Sequence, residues 1–328
     1  MIRWLVIFCF CLFVQGIASG QTLTVTWPDP STMPARIGAE GSLEAGVYLS
    51  TQGQESATRV RIWNADAAIR IVQTEYDHLA LGLSIRDQRV GSLFRNQQLA
   101  AGIAYRRELG DQRATIRQVI GAGAQLGLFH LNMESGNWIF SSQFNDQLYQ
   151  FDPTINALEN LNGVNLSSNV QPVVNAGLFY QAFVGRWSIM LIPSVAALNT
   201  PSLNMDGWSY EIPAQMQFLG QVEYQHTSQV ILGTEWWFTR LAHFTDLQAQ
   251  GFIRIGRQER EETTFQIGGI LGLNRDPYGL QLMHGGFQAR IRWRDHLVGL
   301  RLEDALTRIN RWGTRMIIQY QFILSDQY

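Results

Sequence analysis

The sequence predicts an all-β protein: a transmembrane antiparallel up-and-down β-barrel of about 14 strands with both termini in the periplasm. First, apolar residues alternate with small or polar residues along many short segments, which is the period of a two-faced β-strand. Second, charged residues make up only 16% of the chain, and no apolar run after the N-terminal one approaches the length of a membrane-spanning helix. Third, the last such segment runs almost to Tyr328, as expected where a barrel closes on its final strand.

Residues 1–20 have the pattern of a secretory signal peptide. One positive charge, Arg3, precedes an apolar run, and the small residues of Ala18-Ser19-Gly20 follow it. We expect cleavage between Gly20 and Gln21 and delivery of the mature chain to the cell outer membrane. Both cysteines lie within the signal, so the mature chain is expected to have neither disulfide nor thiol chemistry.

The mature chain is interpreted as a periplasmic N-terminal segment, residues 21–42, followed by the barrel, residues 43–328. Fourteen segments of the barrel show period-two alternation, and single-chain bacterial barrels have an even number of strands. Glycine is frequent on one face of several segments, which is common where a barrel wall curves or its interior is crowded. The predicted strands cover residues 43–51, 60–72, 78–86, 97–107, 116–129, 173–183, 187–198, 215–226, 230–238, 244–255, 264–273, 281–293, 296–302 and 314–324.

The connections between these strands alternate in length. If the N-terminus lies in the periplasm, every short connection falls on the periplasmic side and every longer one faces outside, which is the loop asymmetry of outer-membrane barrels. The short connections lie near residues 74–77, 110–112, 185–186, 227–229, 256–262 and 294–295. The longer set includes residues 52–59, 87–96, 132–172, 199–214 and 303–313.

The final strand has two different faces. One face carries Met316, Ile318, Tyr320, Phe322 and Leu324, which we expect to meet lipid. A soluble secreted β-sandwich is the alternative fold, but its outer faces usually carry more Lys, Glu and Thr than these segments do.

The long connection near residues 132–172 is rich in aromatic side chains. Loops of this length are usually functional, so we expect it to plug the lumen or to present a surface for a partner protein. The alternative is simple packing of its aromatics on the barrel rim. The candidate residues for a plug or partner loop are Trp138, Phe140, Phe144, Tyr149, Phe151 and Asp152.

Four other aromatic residues are assigned to the membrane interfaces. Trp236, Trp237 and Phe238 end a strand that should point outward, and Tyr328 should lie at the periplasmic side. A ligand-stacking site is the alternative for the first three.

Two arginines of a late strand are candidates to line the lumen. Arg290, Arg292 and Arg294 fall on one face of the sequence pattern, and arginine facing lipid is costly, so this face should point inward. Arg290 and Arg292 are the lumen-lining candidates, and a solvated rim is the alternative.

The sequence offers little support for catalysis. It has no nucleophile elbow, no phosphate-binding loop and no zinc-binding helix motif, and its six histidines are scattered without ligand spacing. We therefore expect no enzyme activity, no metal and no cofactor. The net charge of −2 gives no reason to expect nucleic-acid binding.

Several segments, in order, resemble the PorP/SprF family of type IX secretion system outer-membrane proteins. The segments that carry the resemblance are Leu79–Ser84, Ala101–Tyr105, Gly121–Leu128, Phe151–Pro153, Asn175–Tyr180 and Ile317–Phe322. The opening Asn-Pro-Ala-Tyr-Ala-Gly segment of that family is replaced here by Pro28-Asp29-Pro30.

The resemblance implies a non-enzymatic barrel of Bacteroidetes that takes part in the export or surface attachment of proteins with C-terminal sorting domains, gliding-motility adhesins among them. It also implies partners: periplasmic ring and peptidoglycan-linked components of the secretion machinery, the sorting-domain cargo and outer-membrane lipid. The alternative function is an outer-membrane porin or small-solute transporter, with Arg290 and Arg292 lining its pore.

Overall fold

The computed structural model describes residues 33–53, 60–90, 94–110, 116–134, 144–145, 150–151, 165–205, 208–241, 244–256, 263–276, 279–305 and 314–324. A single turn of 3₁₀ helix at Pro34–Arg36 precedes the strands. No helix in these ranges is long and apolar enough to cross a membrane.

Fourteen long strands form one antiparallel sheet. We number them β1 (Leu43–Gln52), β2 (Val60–Gln73), β3 (Asp77–Val90), β4 (Phe94–Leu109), β5 (Ile116–Glu134), β6 (Gln171–Val184), β7 (Trp187–Ala196), β8 (Gln215–Gln225), β9 (Val230–Leu241), β10 (Phe244–Ile255), β11 (Thr264–Asp276), β12 (Gly279–Trp293), β13 (His296–Ala305) and β14 (Arg315–Leu324).

The sheet closes on itself. Each strand pairs with its neighbours in the chain, and β1 pairs with β14 over ten residue pairs, from Leu43 with Leu324 to Gln52 with Arg315. Closure leaves no unpaired edge, which is the requirement for a sheet that crosses a bilayer. The predicted fold, an up-and-down barrel of 14 strands, is confirmed.

Several strands extend further than predicted at the end of the barrel that carries the longer connections. The predicted loop at residues 87–96 is mostly strand, because β3 continues to Val90 and β4 begins at Phe94. The charged residues Asp87, Arg89 and Arg95 stand on the outer face in place of apolar ones, and this obscured the alternation here. The predicted loop at residues 132–172 contains three short strands, of which Asn165–Ser167 pairs with β5 and Phe144–Asn145 pairs with Gln150–Phe151.

The outer surface of the barrel is apolar. Leu126 on β5 is 61% exposed, and leucine and isoleucine side chains on β3 and β4 are exposed beside it. The final strand shows the same division, since Met316, Ile318 and Tyr320 are exposed while Ile317 is buried. A continuous exposed apolar surface of this kind suits contact with lipid rather than with water.

Candidate functional site in the barrel lumen

Residues 33–42, which we call the N-terminal plug, lie inside the barrel. Ala35 is 0% exposed, and Met33 packs with it in one apolar cluster. The wall side of this cluster consists of inward residues from four consecutive strands, β6 to β9: Phe179, Ile192, Leu219 and Trp237. Burial of these apolar surfaces stabilises the plug in the lumen.

Small residues on the opposite wall make room for the plug. Ile37 packs on three buried alanines of β2, β3 and β4, namely Ala68, Ala80 and Ala104. At Gly123 of β5 a Cβ atom would lie 2.5 Å from the backbone nitrogen of Ala35, a distance that real Cβ atoms do not reach. A side chain at Gly123 is therefore incompatible with the plug in this position.

Two arginines of the wall hold the plug through its backbone. Arg106 on β4 donates from Nη2 to the carbonyl oxygens of Ala35, at 2.6 Å, and of Ile37, at 2.8 Å. Arg70 on β2 donates from Nε to the Gly38 carbonyl at 2.9 Å. These bonds satisfy plug carbonyls that no secondary structure satisfies, and a charged donor strengthens each of them.

The C-terminal end of the plug is tied to the seam of the barrel. Ser42 donates to the Leu324 carbonyl oxygen of β14 from its backbone nitrogen, at 2.8 Å, and from its hydroxyl, at 2.9 Å. The Gly41 backbone nitrogen donates to the Glu44 carboxylate at 2.8 Å. The plug therefore enters the lumen beside the β1–β14 pairing.

One ion pair lies within the plug itself. Arg36 Nη2 lies 2.6 Å from Glu40 Oε1, one helical turn away in sequence. Burial alone would raise the pKa of the Glu40 carboxyl, but the charge and hydrogen bond of Arg36 outweigh it, and Arg290 and Arg292 add to the effect, so this pKa is lowered. Glu40 is therefore charged at neutral pH.

The prediction that residues 21–42 form a periplasmic segment is wrong for residues 33–42. Their apolar side chains, Met33, Ala35 and Ile37, are buried against the inner wall instead of facing water. The physical reason is that small inward residues leave a lumen that the wall alone does not fill.

A second region of the lumen is filled by the wall itself. Glu303 of β13 accepts hydrogen bonds from Arg301 and from Arg315 Nη2, the latter at 2.6 Å, and His284 Nε2 lies 3.5 Å from it. Arg301 also donates to Gln248 of β10. We call these five residues the polar lumen cluster. A buried carboxylate shared between two arginines is compensated on both sides.

The polar lumen cluster meets the apolar cluster around the plug. The Arg301 guanidinium carbon lies 5.3 Å from the centre of the Trp237 ring, a cation–π contact. Trp237 thus contacts the polar lumen cluster and also belongs to the apolar cluster that holds Met33 and Ala35.

A small cavity of about 50 Å³ lies beside the plug. Polar and apolar residues of the plug and of β1, β2, β3, β5 and β14 line it, and the polar side chains include Arg36, Glu44, Asn64, Asp66, Ser84 and Gln125. A cavity of this size and polarity can hold water but not a solute.

The two predicted lumen-lining arginines lie on the inward face of β12. Ile291 between them is exposed on the outer surface, whereas Arg290 and Arg292 are partly buried and close enough to the plug to act on the Glu40 carboxyl. The expectation that Arg294 shares this face is wrong, because Arg294 lies in the turn to β13 with a φ of 51°. A role for Arg290 and Arg292 in a pore stays a prediction.

The interfacial assignment of Trp236, Trp237 and Phe238 is wrong for Trp237, which is 5% exposed and lies in the lumen. Three consecutive strand residues cannot share a face, because side chains alternate across the sheet. Trp236 and Phe238 keep outward positions on β9, on the same face as the exposed Leu232 of that strand.

Most residues of the candidate plug or partner loop, and the terminal aromatic, lie outside the described residues. They are Trp138, Phe140, Tyr149, Asp152 and Tyr328. Phe144 and Phe151 are paired across the short two-stranded sheet of this connection. The segment found in the lumen is the N-terminal plug, which sequence reasoning missed, although glycine on the inner faces of β3 to β5 was a signal of a crowded interior.

Comparisons with known proteins give no family assignment. No protein family matches the chain, and no curated protein matches it in sequence. Among solved structures it is similar to the Pseudomonas putida toluene transporter TodX, with a TM-score of 0.49, 9% identity and coverage of 93% of each chain. It is also similar to a Pseudomonas aeruginosa FadL homologue, with a TM-score of 0.43, 8% identity and coverage of 94% of this chain and 99% of that one. At these scores the likenesses carry no argument about function.

Proposed function

We propose that this chain is an outer-membrane barrel that transports small solutes and whose lumen is closed by the N-terminal plug. The observation that supports this most directly is the plug itself, a ten-residue segment, residues 33–42, held inside a barrel with an apolar outer surface. A lipid-facing barrel with an occupied lumen is the arrangement of a gated channel in a membrane.

The width of the barrel supports a path for solutes. Barrels of about eight strands are filled by their own side chains, whereas barrels of about 16–18 strands leave an aqueous channel. This barrel has 14 strands, so its inward side chains need an additional segment to fill the lumen. Removal of the plug would leave space along the walls of β2 to β5, where the inward residues directly behind the plug are alanine and glycine.

The attachment of the plug supports reversible opening. Its described contacts are apolar packing, side-chain hydrogen bonds to its backbone and one bond network at Ser42. The wall behind it carries buried polar residues, among them Gln125 and Asn175, which hydrogen-bond to each other at 2.8 Å. Polar groups of this kind favour water and polar solutes in the lumen once the plug has moved.

The test compares the full chain with a variant that lacks residues 33–41, both reconstituted in liposomes. We expect low permeability to a monosaccharide in a liposome-swelling assay for the full chain and a several-fold higher rate for the deletion. Heat-dependent migration on gels serves as the control that the deleted barrel still folds. Equal and negligible rates for both folded proteins would reject transport, and equal and high rates would reject closure by the plug.

A second candidate is a component of the type IX secretion system that takes part in export or surface attachment of sorting-domain proteins. It is supported by the resemblance of several segments to PorP/SprF proteins and by the closed lumen, since a scaffold needs no pore. Deletion of the gene should then reduce surface display of sorting-domain proteins, and unchanged display would reject this candidate. Copurification with periplasmic ring components after mild detergent extraction is the matching biochemical test.

A further inference from the structure

Three arginines form a row on the outer surface of the barrel. Arg61 of β2 stands directly opposite Arg89 of β3, and Arg89 stands directly opposite Arg95 of β4. Each is one residue from the end of its strand, at the end of the barrel with the longer connections, and each is exposed. We call these three residues the arginine row.

The row stands at the edge of the apolar surface. Two residues further into the barrel the same outer face carries Trp63 and Asp87, and two residues further still it carries Ile85 and Leu99, which are exposed. The order from apolar side chains through tryptophan to arginine is the order of hydrocarbon, interface and headgroup in a membrane.

Among the described residues, the row contains more positive charge than the nearby carboxylates neutralise. Like charges directly opposite each other on one face of a sheet are unfavourable without a counter-charge. Asp87, whose side chain is 2% exposed, accepts from Arg89 Nε at 3.1 Å, from Arg95 Nε at 2.8 Å and from Trp63 Nε1 at 3.1 Å. In the described part of the chain no carboxylate pairs with Arg61, so one carboxylate stands against three guanidinium groups.

The geometry leaves the row ready to bind an anion. Asp87 engages the Nε atoms of Arg89 and Arg95 and so fixes both side chains, while in the described ranges their terminal Nη nitrogens make no hydrogen bond. Fixed guanidinium groups with free N–H donors match the oxygens of phosphate, which they bind in pairs of parallel hydrogen bonds.

We propose that the arginine row binds a phosphate group on the headgroup of an outer-leaflet lipid, of the lipid A class. The inference rests on the outer-membrane location in the proposed function. Continuity of the row with the lipid-facing surface favours a lipid over a soluble anion, because a phosphorylated lipid is held by its acyl chains on Ile85 and Leu99 and by its phosphate on the row.

The test measures binding of bisphosphorylated lipid A, dephosphorylated lipid A and inorganic phosphate to the full chain in detergent, by native mass spectrometry. We expect the phosphorylated lipid to bind at least about ten-fold more tightly than the dephosphorylated one. The triple variant R61Q/R89Q/R95Q should lose this preference. Arg240→Gln, which changes an exposed outward arginine of β9 with Met216 and Thr245 opposite it, should keep it.

Three results of this experiment would count against the proposal. Equal binding of the two lipids by the full chain, or a triple variant that keeps the preference, overturns it. Inorganic phosphate that binds as tightly as lipid A assigns the row to a free anion instead of a lipid. Arg61→Gln alone disturbs no described ion pair and should give a smaller loss in the same direction if the triple variant does not fold.

The outcome is separable from the proposed transport function. Monosaccharide permeation in liposomes without lipid A should be the same for the triple variant and the unchanged chain. Separation of cell membranes by density tests the outer-membrane location independently of the row.

Discussion

The two sides of the lumen differ in what fills them. The plug-facing wall, the inward residues of β2 to β5, carries small residues such as Ala80, Ala104 and Gly123 directly behind the plug, together with Arg70 and Arg106, which bond to the plug. The charged wall, the inward residues of β10 to β14, carries Gln248, Arg301 and other long polar side chains that bond to one another. The plug fills the lumen beside the plug-facing wall, whereas the long side chains of the charged wall fill the lumen beside it.

The difference identifies where the lumen can change. Displacing the plug breaks apolar contacts and hydrogen bonds to a single short segment, and each broken bond can be replaced by water. Opening the charged wall would separate a buried carboxylate from its arginines, which costs far more. We therefore expect movement on the plug-facing side and a fixed structure on the other.

The largest effect is expected from Glu303→Gln on the charged wall. The change leaves Arg301 and Arg315 buried without their carboxylate, so the free energy of unfolding should fall by about 3–5 kcal/mol. Urea titration of the barrel in detergent, followed by tryptophan fluorescence, measures it. The combination of Glu303→Leu with Arg301→Met and Arg315→Leu should recover most of the loss, and an unchanged single variant would contradict the two-wall comparison.

The next largest effect is expected at Arg106, with its sequence neighbour as the control. Arg106→Met removes the donors to the Ala35 and Ile37 carbonyls and should weaken the closed state by about 1.5–3 kcal/mol. Monosaccharide permeation should rise accordingly. Arg107→Met changes an exposed arginine on the other face of β4 and should leave permeation unchanged. Equal rates for the two variants would show that Arg106 does not hold the plug.

A smaller effect is expected from the addition of one methyl group at Gly123. The new Cβ atom meets plug backbone at 2.5 Å, so Gly123→Ala should disfavour the plugged state by about 1–3 kcal/mol and raise permeation. Gly251→Ala is the matched control, because nothing lies within 4 Å of a Cβ atom at that outward position of β10. The same permeation for both variants would mean that the plug does not rest on the wall at Gly123.

The smallest effect is expected for the ion pair within the plug. Arg36→Gln should destabilise the plugged state by less than about 1 kcal/mol at neutral pH, because the pair is partly exposed. The pKa of Glu40 is lowered, so the contribution of the pair is complete above the ordinary carboxyl pKa and disappears as the pH falls through the lowered value. The melting temperatures of the variant and the unchanged chain should therefore converge on acidification, and a difference that grows in acid would contradict this sign.

The strands were predictable because one physical rule covers all of them. A wall with lipid on one side and a polar lumen on the other forces alternation on every strand, as in β14, where exposed Met316 and Ile318 flank buried Ile317. The same alternation places Trp237 inward, between outward Trp236 and Phe238, although three consecutive aromatic residues suggest a membrane interface. Strand ends were least predictable where charge replaces apolar residues on the outer face, as at Arg89 and Arg95.

The plug was not predictable from its own sequence. Residues 33–42 contain apolar residues without the period of a strand or a long helix, and their partners are spread over most strands of the wall. Only the register of the sheet brings Gly82, Gly102 and Gly123 together behind Ile37 and Ala35. Inward glycines predicted a crowded lumen, but not which segment crowds it.

Because the chain continues from the plug into β1, and Ser42 is bonded to Leu324 at the point of entry, the plug is a tethered ligand of its own barrel. A segment that leaves its site while joined to β1 stays within a few residues of it, so its return is unimolecular and governed by an effective concentration in the millimolar range. Closure should therefore not depend on protein concentration. A free peptide of residues 33–41 should compete with the tethered segment only when it is supplied at a comparable, millimolar level.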